Sequence, residues 1–124
     1  MFDEHQENEI NRQALFSDET QDYRYPEEPD AGETVTLWFR TAKNDVDQVF
    51  YIEEDKNIQA EMRKVSSDSL FDYYEYRMEA DSQPQRYYFQ VVKGSAVCYF
   101  NRLGATMDIQ SCYAFRITPG FHTP

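Results

Sequence analysis

The chain is poor in basic residues and cysteines, and it has no long apolar segment. Lys and Arg number 12 against 23 Asp and Glu in 124 residues, which gives a net charge of −11. Because nucleic acids and anionic membranes bind basic patches, we expect neither as a partner. No apolar run approaches a membrane span, and the polar N-terminus is not typical of a signal peptide. We therefore predict a cytoplasmic protein with a neutral partner or substrate.

Only two cysteines, Cys98 and Cys112, are present. Without a secretory signal, two cysteines are expected to be reduced thiols rather than a disulfide. Further residues that a zinc site would need do not accompany them. We predict no bound metal and no other cofactor.

Catalytic motifs are also missing. The chain contains no G-x-S-x-G, H-E-x-x-H, P-loop or G-x-G-x-x-G pattern. Acidic residues are so frequent that carboxylate pairs at any spacing arise by chance. His5 and His122 lie near the chain ends, where neither is expected to act as a general base. Asn44, Asp45 and Asp47 lack the twelve-residue calcium-loop pattern, so we predict a polar hairpin turn there and no catalytic residue in the chain.

Alternating apolar residues indicate strands through most of the chain. Ten Tyr and nine Phe contribute to a hydrophobic fraction of 40%, and aromatic residues favour strands. Val35, Leu37 and Phe39 share one face of a strand, with Trp38 and Arg40 on the other. The predicted strands cover residues 13–16, 34–41, 46–52, 58–65, 71–78, 86–93, 96–101 and 111–118. No segment has a convincing helical pattern, and we predict an all-β antiparallel sandwich of about seven to eight strands.

Three segments are predicted along the chain. Residues 1–11 form a flexible acidic N-terminus, residues 12–118 form the sandwich, and residues 119–124 begin a linker. Pro119, Gly120 and Pro124 end the last strand and favour an extended backbone. We interpret the chain as one module of a longer protein.

Trp38, Tyr73 and Tyr88 are the candidate binding residues, because strand alternation places them opposite the core side chains. Such rings stack on the apolar faces of neutral sugars, which suits an acidic module. They also pack against neighbouring domains or subunits, where aromatic residues are enriched. Ordinary cross-strand support is a third interpretation. The sequence leaves all three open.

Four motifs resemble one known module. They are TVTLWFRTAKNDVDQVFYI at 34–52, SLFDYYEY at 69–76, the R-Y-x-F run from Arg86 to Phe89, and the ending YAFRITPGFHTP. In this order they are similar to the N-terminal domain of neopullulanases, cyclomaltodextrinases and maltogenic amylases, which belong to the α-amylase superfamily. The resemblance covers roughly residues 12–124.

The resemblance implies an immunoglobulin-like β-sandwich, classed with starch-type carbohydrate-binding modules. It implies a non-catalytic domain joined to a barrel that hydrolyses α-glucosidic bonds in maltodextrins, cyclodextrins or pullulan. In several such relatives this domain builds the homodimer and narrows the partner's active site. The implied partners are therefore the chain's own catalytic barrel, a second subunit and α-glucan oligosaccharides. An autonomous α-glucan-binding module is the alternative, and an unrelated adhesive sandwich is a weaker one.

Overall fold

The computed structural model describes residues 9–106 and 114–118. These residues form one 3-10 helix, Arg12–Ala14, and ten strands whose ladders are all antiparallel. The strands are β1 (Arg24–Tyr25), β2 (Thr34–Ala42), β3 (Gln48–Glu53), β4 (Ile58–Glu61), β5 (Arg63–Ser67), β6 (Phe71–Glu79), β7 (Gln85–Lys93), β8 (Ala96–Asn101), β9 (Gly104–Thr106) and β10 (Phe115–Ile117). The predicted all-β class is confirmed.

The strands divide between two sheets that pack face to face. The smaller sheet has the order β1-β2-β6-β5. The larger has the order β4-β3-β7-β8-β9, with β10 also paired to β7. The chain crosses between sheets after β2, after β4 and after β6, so each sheet contains strands from separate parts of the sequence. The predicted antiparallel sandwich is confirmed.

Aromatic and branched side chains from both sheets fill the core. Val35, Leu37 and Phe39 on β2 are fully buried, as the alternation predicted. The ring of Phe39 lies 4.8 Å from that of Phe89 on the opposite sheet. Large aromatic rings bury much apolar area and prefer offset or tilted contacts of this kind.

The run at 58–65, predicted as one strand, is two strands in different sheets. It breaks at Met62, whose side chain is buried and whose N–H donates to the carbonyl of Val49 at 2.7 Å. β5 continues beyond this point as an exposed edge strand of the smaller sheet. Apolar alternation continues through the break, because Met62 points inward while the chain changes sheets.

Other local predictions were wrong. Residues 13–16 do not form an edge strand; the 3-10 helix lies there, and only Phe16 pairs with β2, at Arg40. The turn after β2 is a crossover between sheets rather than a hairpin, because β2 pairs with β6 and β3 pairs with β7. Strands β1 and β9 were not predicted. Predictions for residues 1–8, 107–113 and 119–124, including His5, Cys112 and His122, lie outside the described residues.

Candidate binding and docking surfaces

The smaller sheet carries a cleft built from aromatic side chains on its outer face. Trp38 on β2 and Tyr73 on β6 both point outward and line it, together with Tyr23 and Val65. The cleft is open to solvent and holds about 540 Å³. The structure therefore brings together two of the three aromatic residues predicted from strand alternation.

Tyr23 was not among the predicted site residues, because it belongs to the long loop before β2. Its backbone carbonyl accepts a hydrogen bond from the N–H of Trp38 at 3.0 Å. Its ring makes an edge contact with Phe16 at 5.1 Å between centroids. These two contacts place the loop tyrosine beside Trp38. Loop residues have no fixed alternation, so only their tertiary contacts reveal their position.

Glu75 holds the indole of Trp38 from the neighbouring strand. The two residues are directly paired in the β2–β6 ladder, and indole Nε1 donates to Oε2 of Glu75 at 3.2 Å. Arg63 and Arg77 each approach Oε1 of Glu75 at 3.5 Å. The carboxylate is thereby surrounded by donors, and Trp38 is held in one orientation.

Tyr73 is held at the other side of the cleft. Its hydroxyl donates to Oδ2 of Asp68 at 3.1 Å. Burial and this hydrogen bond raise the pKa of Tyr73, so the phenol remains protonated at neutral pH. Next to it, the guanidinium of Arg40 lies 4.2 Å from the ring centre of Phe71. These contacts give the cleft a fixed wall.

Tyr88 lies on the other side of the molecule. It points outward from β7 in the larger sheet, yet only 7% of it is exposed. Its ring packs edge-on against Tyr99 with 6.0 Å between centroids, and burial raises the pKa of Tyr88. Alternation predicted its direction correctly but not its burial. The structure does not bring it to the Trp38 cleft.

Three neighbouring strands of the larger sheet share a stretch of outward positions without charged side chains. We define the uncharged face as the outward positions of β3, β7 and β8 from Gln48 to Ile52, Tyr88 to Val92 and Val97 to Tyr99. Strand pairing aligns these positions across the three strands. Its members are Gln48, Phe50, Ile52, Tyr88, Gln90, Val92, Val97 and Tyr99. Charged side chains border this face: Arg86 on β7 pairs with Asp55 at 2.7 Å, and Glu61 on the edge strand β4 stands opposite Phe50.

The acidic side chains in the turn after β2 accept hydrogen bonds from other groups of the same chain. Asp45 accepts hydrogen bonds from the N–H of Asn11 at 2.8 Å and from Nζ of Lys93 at 2.9 Å. Asp47 accepts one from the N–H of Gly94 at 2.7 Å. Within residues 9–106 and 114–118, no group of three or more His, Cys, Asp or Glu is arranged to hold a metal ion.

One family of known domains matches most of the chain. The family model "Alpha amylase, N-terminal ig-like domain" matches residues 6–118. The chain belongs to this family. A comparison with curated protein sequences finds no match. For the part of the chain that is described, no helix is long and apolar enough to cross a membrane.

Solved structures with the same fold include three enzymes. A cyclomaltodextrinase aligns with a TM-score of 0.72 and 22% identity over 86% of this chain and 19% of its own. A maltogenic amylase from S. marinus aligns with a TM-score of 0.64 and 13% identity, over 90% of this chain and 15% of its own.

A type III pullulan hydrolase from Thermococcus kodakarensis is the third. It aligns with a TM-score of 0.53 and 15% identity, over 83% of this chain and 16% of its own. This N-terminal ig-like domain spans less than a fifth of the length of each of these three solved chains.

Proposed function

We propose that the chain is the non-catalytic accessory domain of a cytoplasmic glycoside hydrolase of the α-amylase type, acting on α-glucans such as maltodextrin, cyclodextrin or pullulan. Its role is to shape the substrate cleft of the catalytic barrel and to contribute to a homodimer. The observation that carries the proposal is the family match, which covers the whole sandwich. Solved relatives named for such activities support the substrate class.

The proposal is tested on the full polypeptide that the gene encodes. We would measure kcat/KM for β-cyclodextrin and for soluble starch, with and without residues 1–118, and determine the mass by sedimentation. The intact enzyme should prefer the cyclodextrin and sediment as a dimer, and the shortened enzyme should lose both properties. Absence of glycoside hydrolase activity, or an unchanged preference and mass, would contradict the proposal.

A second function is supported by the Trp38 cleft. Its aromatic walls, its openness and the fixed orientation of the indole suit stacking against the apolar face of a glucose ring. We propose that the domain binds α-glucan oligosaccharides there. Such binding is compatible with the accessory role, since both concern the same substrate.

Isothermal titration of the 124-residue chain with maltoheptaose tests this second function. Trp38→Ala should weaken binding about 30-fold, because removing a central aromatic anchor costs about 2 kcal/mol. Tyr73→Ala should weaken it as well. Tyr25→Ala is the matched control, since this tyrosine is 60% exposed on the same sheet but does not line the cleft. Lack of saturable binding at millimolar sugar would contradict the idea.

A further inference from the structure

We propose that residues 9–13, which we call the N-terminal strap, open as a separate unit while the sandwich stays folded, and that Asp45 is the latch that holds them closed. Opening widens the cavity between the strap and β8 and uncovers the thiol of Cys98 in its wall. This conformational device belongs to the domain itself. It therefore goes beyond the proposed function and does not depend on it.

The strap begins a segment that extends the smaller sheet at its outer edge. Strand β1 is two residues long, whereas its neighbour β2 is nine residues long. Further along β2, Phe16 forms an isolated antiparallel pair with Arg40. The ring of Phe16 also lies 6.3 Å from that of Phe100 on β8, in an edge-on contact. The N-terminal segment thus covers the inner side of β8 where the short β1 does not reach.

A cavity of about 720 Å³ lies between the strap and β8. The strap residues form one wall, and Ala96, Val97 and Cys98 contribute to the other. Ile10 of the strap packs against the hydrophobic core to which Cys98 belongs, and Cys98 is only 1% exposed. Displacement of the strap therefore removes the cover from this side of the thiol.

One carboxylate holds the strap from the turn between β2 and β3. Oδ2 of Asp45 accepts a hydrogen bond from the N–H of Asn11 at 2.8 Å, and Oδ1 accepts one from Nζ of Lys93 at 2.9 Å. The same Nζ donates to the carbonyl of Glu9 at 2.9 Å. The side chains of Asp45 and Lys93 are 13% and 19% exposed, so solvent screens this pair less than a surface ion pair. These contacts make Asp45 the centre of the attachment.

The strap is attached to the sandwich in a different way from the residues that follow it. Phe16 and Arg40 exchange two backbone hydrogen bonds, of 3.0 Å and 2.8 Å, which join this part of the segment to β2. Among the described residues, the backbone hydrogen bonds of the strap reach only Ala14 and Leu15, within its own 3-10 turn. Segments with few bonds to the rest of a fold open at a low local free energy. We therefore place the hinge at Ala14.

Alkylation of Cys98 tests the opening in the 124-residue chain, with Cys112→Ala so that Cys98 is the only thiol. The reaction with iodoacetamide is followed by mass spectrometry over a day, because the closed strap makes it slow. Below the unfolding transition its rate should hardly depend on urea, since opening of the short strap exposes little surface. Hydrogen exchange of the β7 amides requires unfolding of the sandwich and should become faster with urea.

Two variants release the strap in different ways. Asp45→Ala removes the carboxylate, and Asn11→Pro removes only the N–H that it binds, at a residue whose φ of −74° suits proline. In both, Cys98 should be alkylated at least about tenfold faster, because a hydrogen bond to a charged group shifts such an equilibrium by about that factor or more. In Asp45→Ala, hydrogen exchange of the Asn11 amide should accelerate as well. Asn11→Pro keeps the pair of Asp45 with Lys93 and decides the question if Asp45→Ala does not fold.

Asp47→Ala is the matched control from the same turn. The carboxylate of Asp47 accepts a hydrogen bond from the N–H of Gly94 at 2.7 Å and, among the described residues, pairs with no part of the strap. This variant loses an acidic side chain of the same kind as Asp45. It should leave the alkylation of Cys98 at the wild-type rate.

Three outcomes would overturn the inference. Alkylation of Cys98 that rises with urea as steeply as exchange of the β7 amides would mean that only global unfolding uncovers the thiol. Unchanged alkylation in the folded release variants would mean that Asp45 is not the latch, and so would equal acceleration by Asp47→Ala. No measurement uses a sugar or an enzymatic activity, so these outcomes leave the proposed function unaffected.

Discussion

The hydroxyl of Tyr51 donates a hydrogen bond to Oε1 of Glu53 at 2.7 Å inside the sandwich. Both residues are almost completely buried. Nε2 of Gln85 donates to the same oxygen at 3.1 Å, whereas Oε2 of Glu53 has no partner. Burial and the hydrogen bond to Glu53 raise the pKa of Tyr51, so the phenol stays protonated and acts as the donor. A buried carboxylate in the core thus depends on two donors.

Tyr51→Phe should destabilise the domain. The variant keeps the ring that stacks on Tyr76 but removes one of the two donors to Glu53. We expect the free energy of unfolding in urea to fall by about 1–3 kcal/mol, the cost of leaving a buried polar group without a partner. Tyr25→Phe, at an exposed position, is the control and should change it little. If both variants have the same free energy of unfolding, the hydroxyl of Tyr51 does not stabilise the domain and only its ring does.

Asp72→Asn should destabilise the domain at neutral pH but not in acid. Burial alone raises the pKa of Asp72. Three groups oppose this and bring the pKa below the usual 3.8: the hydroxyl of Ser67 and the N–H of Asn44, which donate hydrogen bonds, and Lys64, which forms an ion pair. A carboxyl group whose pKa is lower in the folded state than in the unfolded state stabilises the fold at any pH above its unfolded-state pKa. This contribution disappears as the pH falls through the folded-state pKa.

The measurement is urea unfolding of the wild type and Asp72→Asn between pH 7 and pH 2. We expect a difference of about 1–3 kcal/mol at pH 7 that shrinks steadily below about pH 4. Glu28→Gln, at an exposed position, should show no such trend. A constant difference over the whole range would mean that the charge of Asp72 is not the cause.

Arg24→Lys should loosen the loop that precedes β2. The buried guanidinium of Arg24 donates to the carbonyls of Glu27 at 3.0 Å and Arg116 at 2.7 Å, which joins the loop to β10. Lysine retains the positive charge but lacks the planar guanidinium group, whose separate N–H donors reach both carbonyls. We expect the free energy of unfolding to fall by about 1.5–3 kcal/mol. Cleavage by a glutamate-specific protease at Glu27 should become faster.

The control for this change is Arg63→Lys, where the side chain is 77% exposed. It should alter neither stability nor cleavage. If Arg24→Lys behaves like this control, the two carbonyl contacts do not hold the loop.

Cys98 should not react in the native protein. It is a free cysteine, only 1% exposed, and burial raises the pKa of its thiol to about 11. The thiolate is the reactive form, so burial and protonation both oppose modification. In a Cys112→Ala background, we expect no colour with Ellman's reagent at pH 8 until denaturant is added. Rapid release of one equivalent of the coloured thionitrobenzoate anion on mixing with the folded protein would contradict this prediction.

Strand alternation was informative wherever one side of a strand faces the core. Val35, Leu37 and Phe39 were assigned correctly, since apolar side chains at every second position must share a face. The same reasoning failed at 58–65, because alternation continues through Met62 while the backbone changes sheets. It placed Trp38 on the correct face but could not show that Glu75 holds it, since the strands that pair are far apart in sequence.

The sequence by itself determined the all-β class, the main strands and the side of each strand that is buried, because these follow from local alternation and turn residues. Only the tertiary structure decided how strands are distributed between two sheets. It also decided that Tyr23 joins Trp38 in one cleft and that Tyr99 covers Tyr88. These outcomes depend on packing between segments that are distant along the chain, and local periodicity contains no information about them.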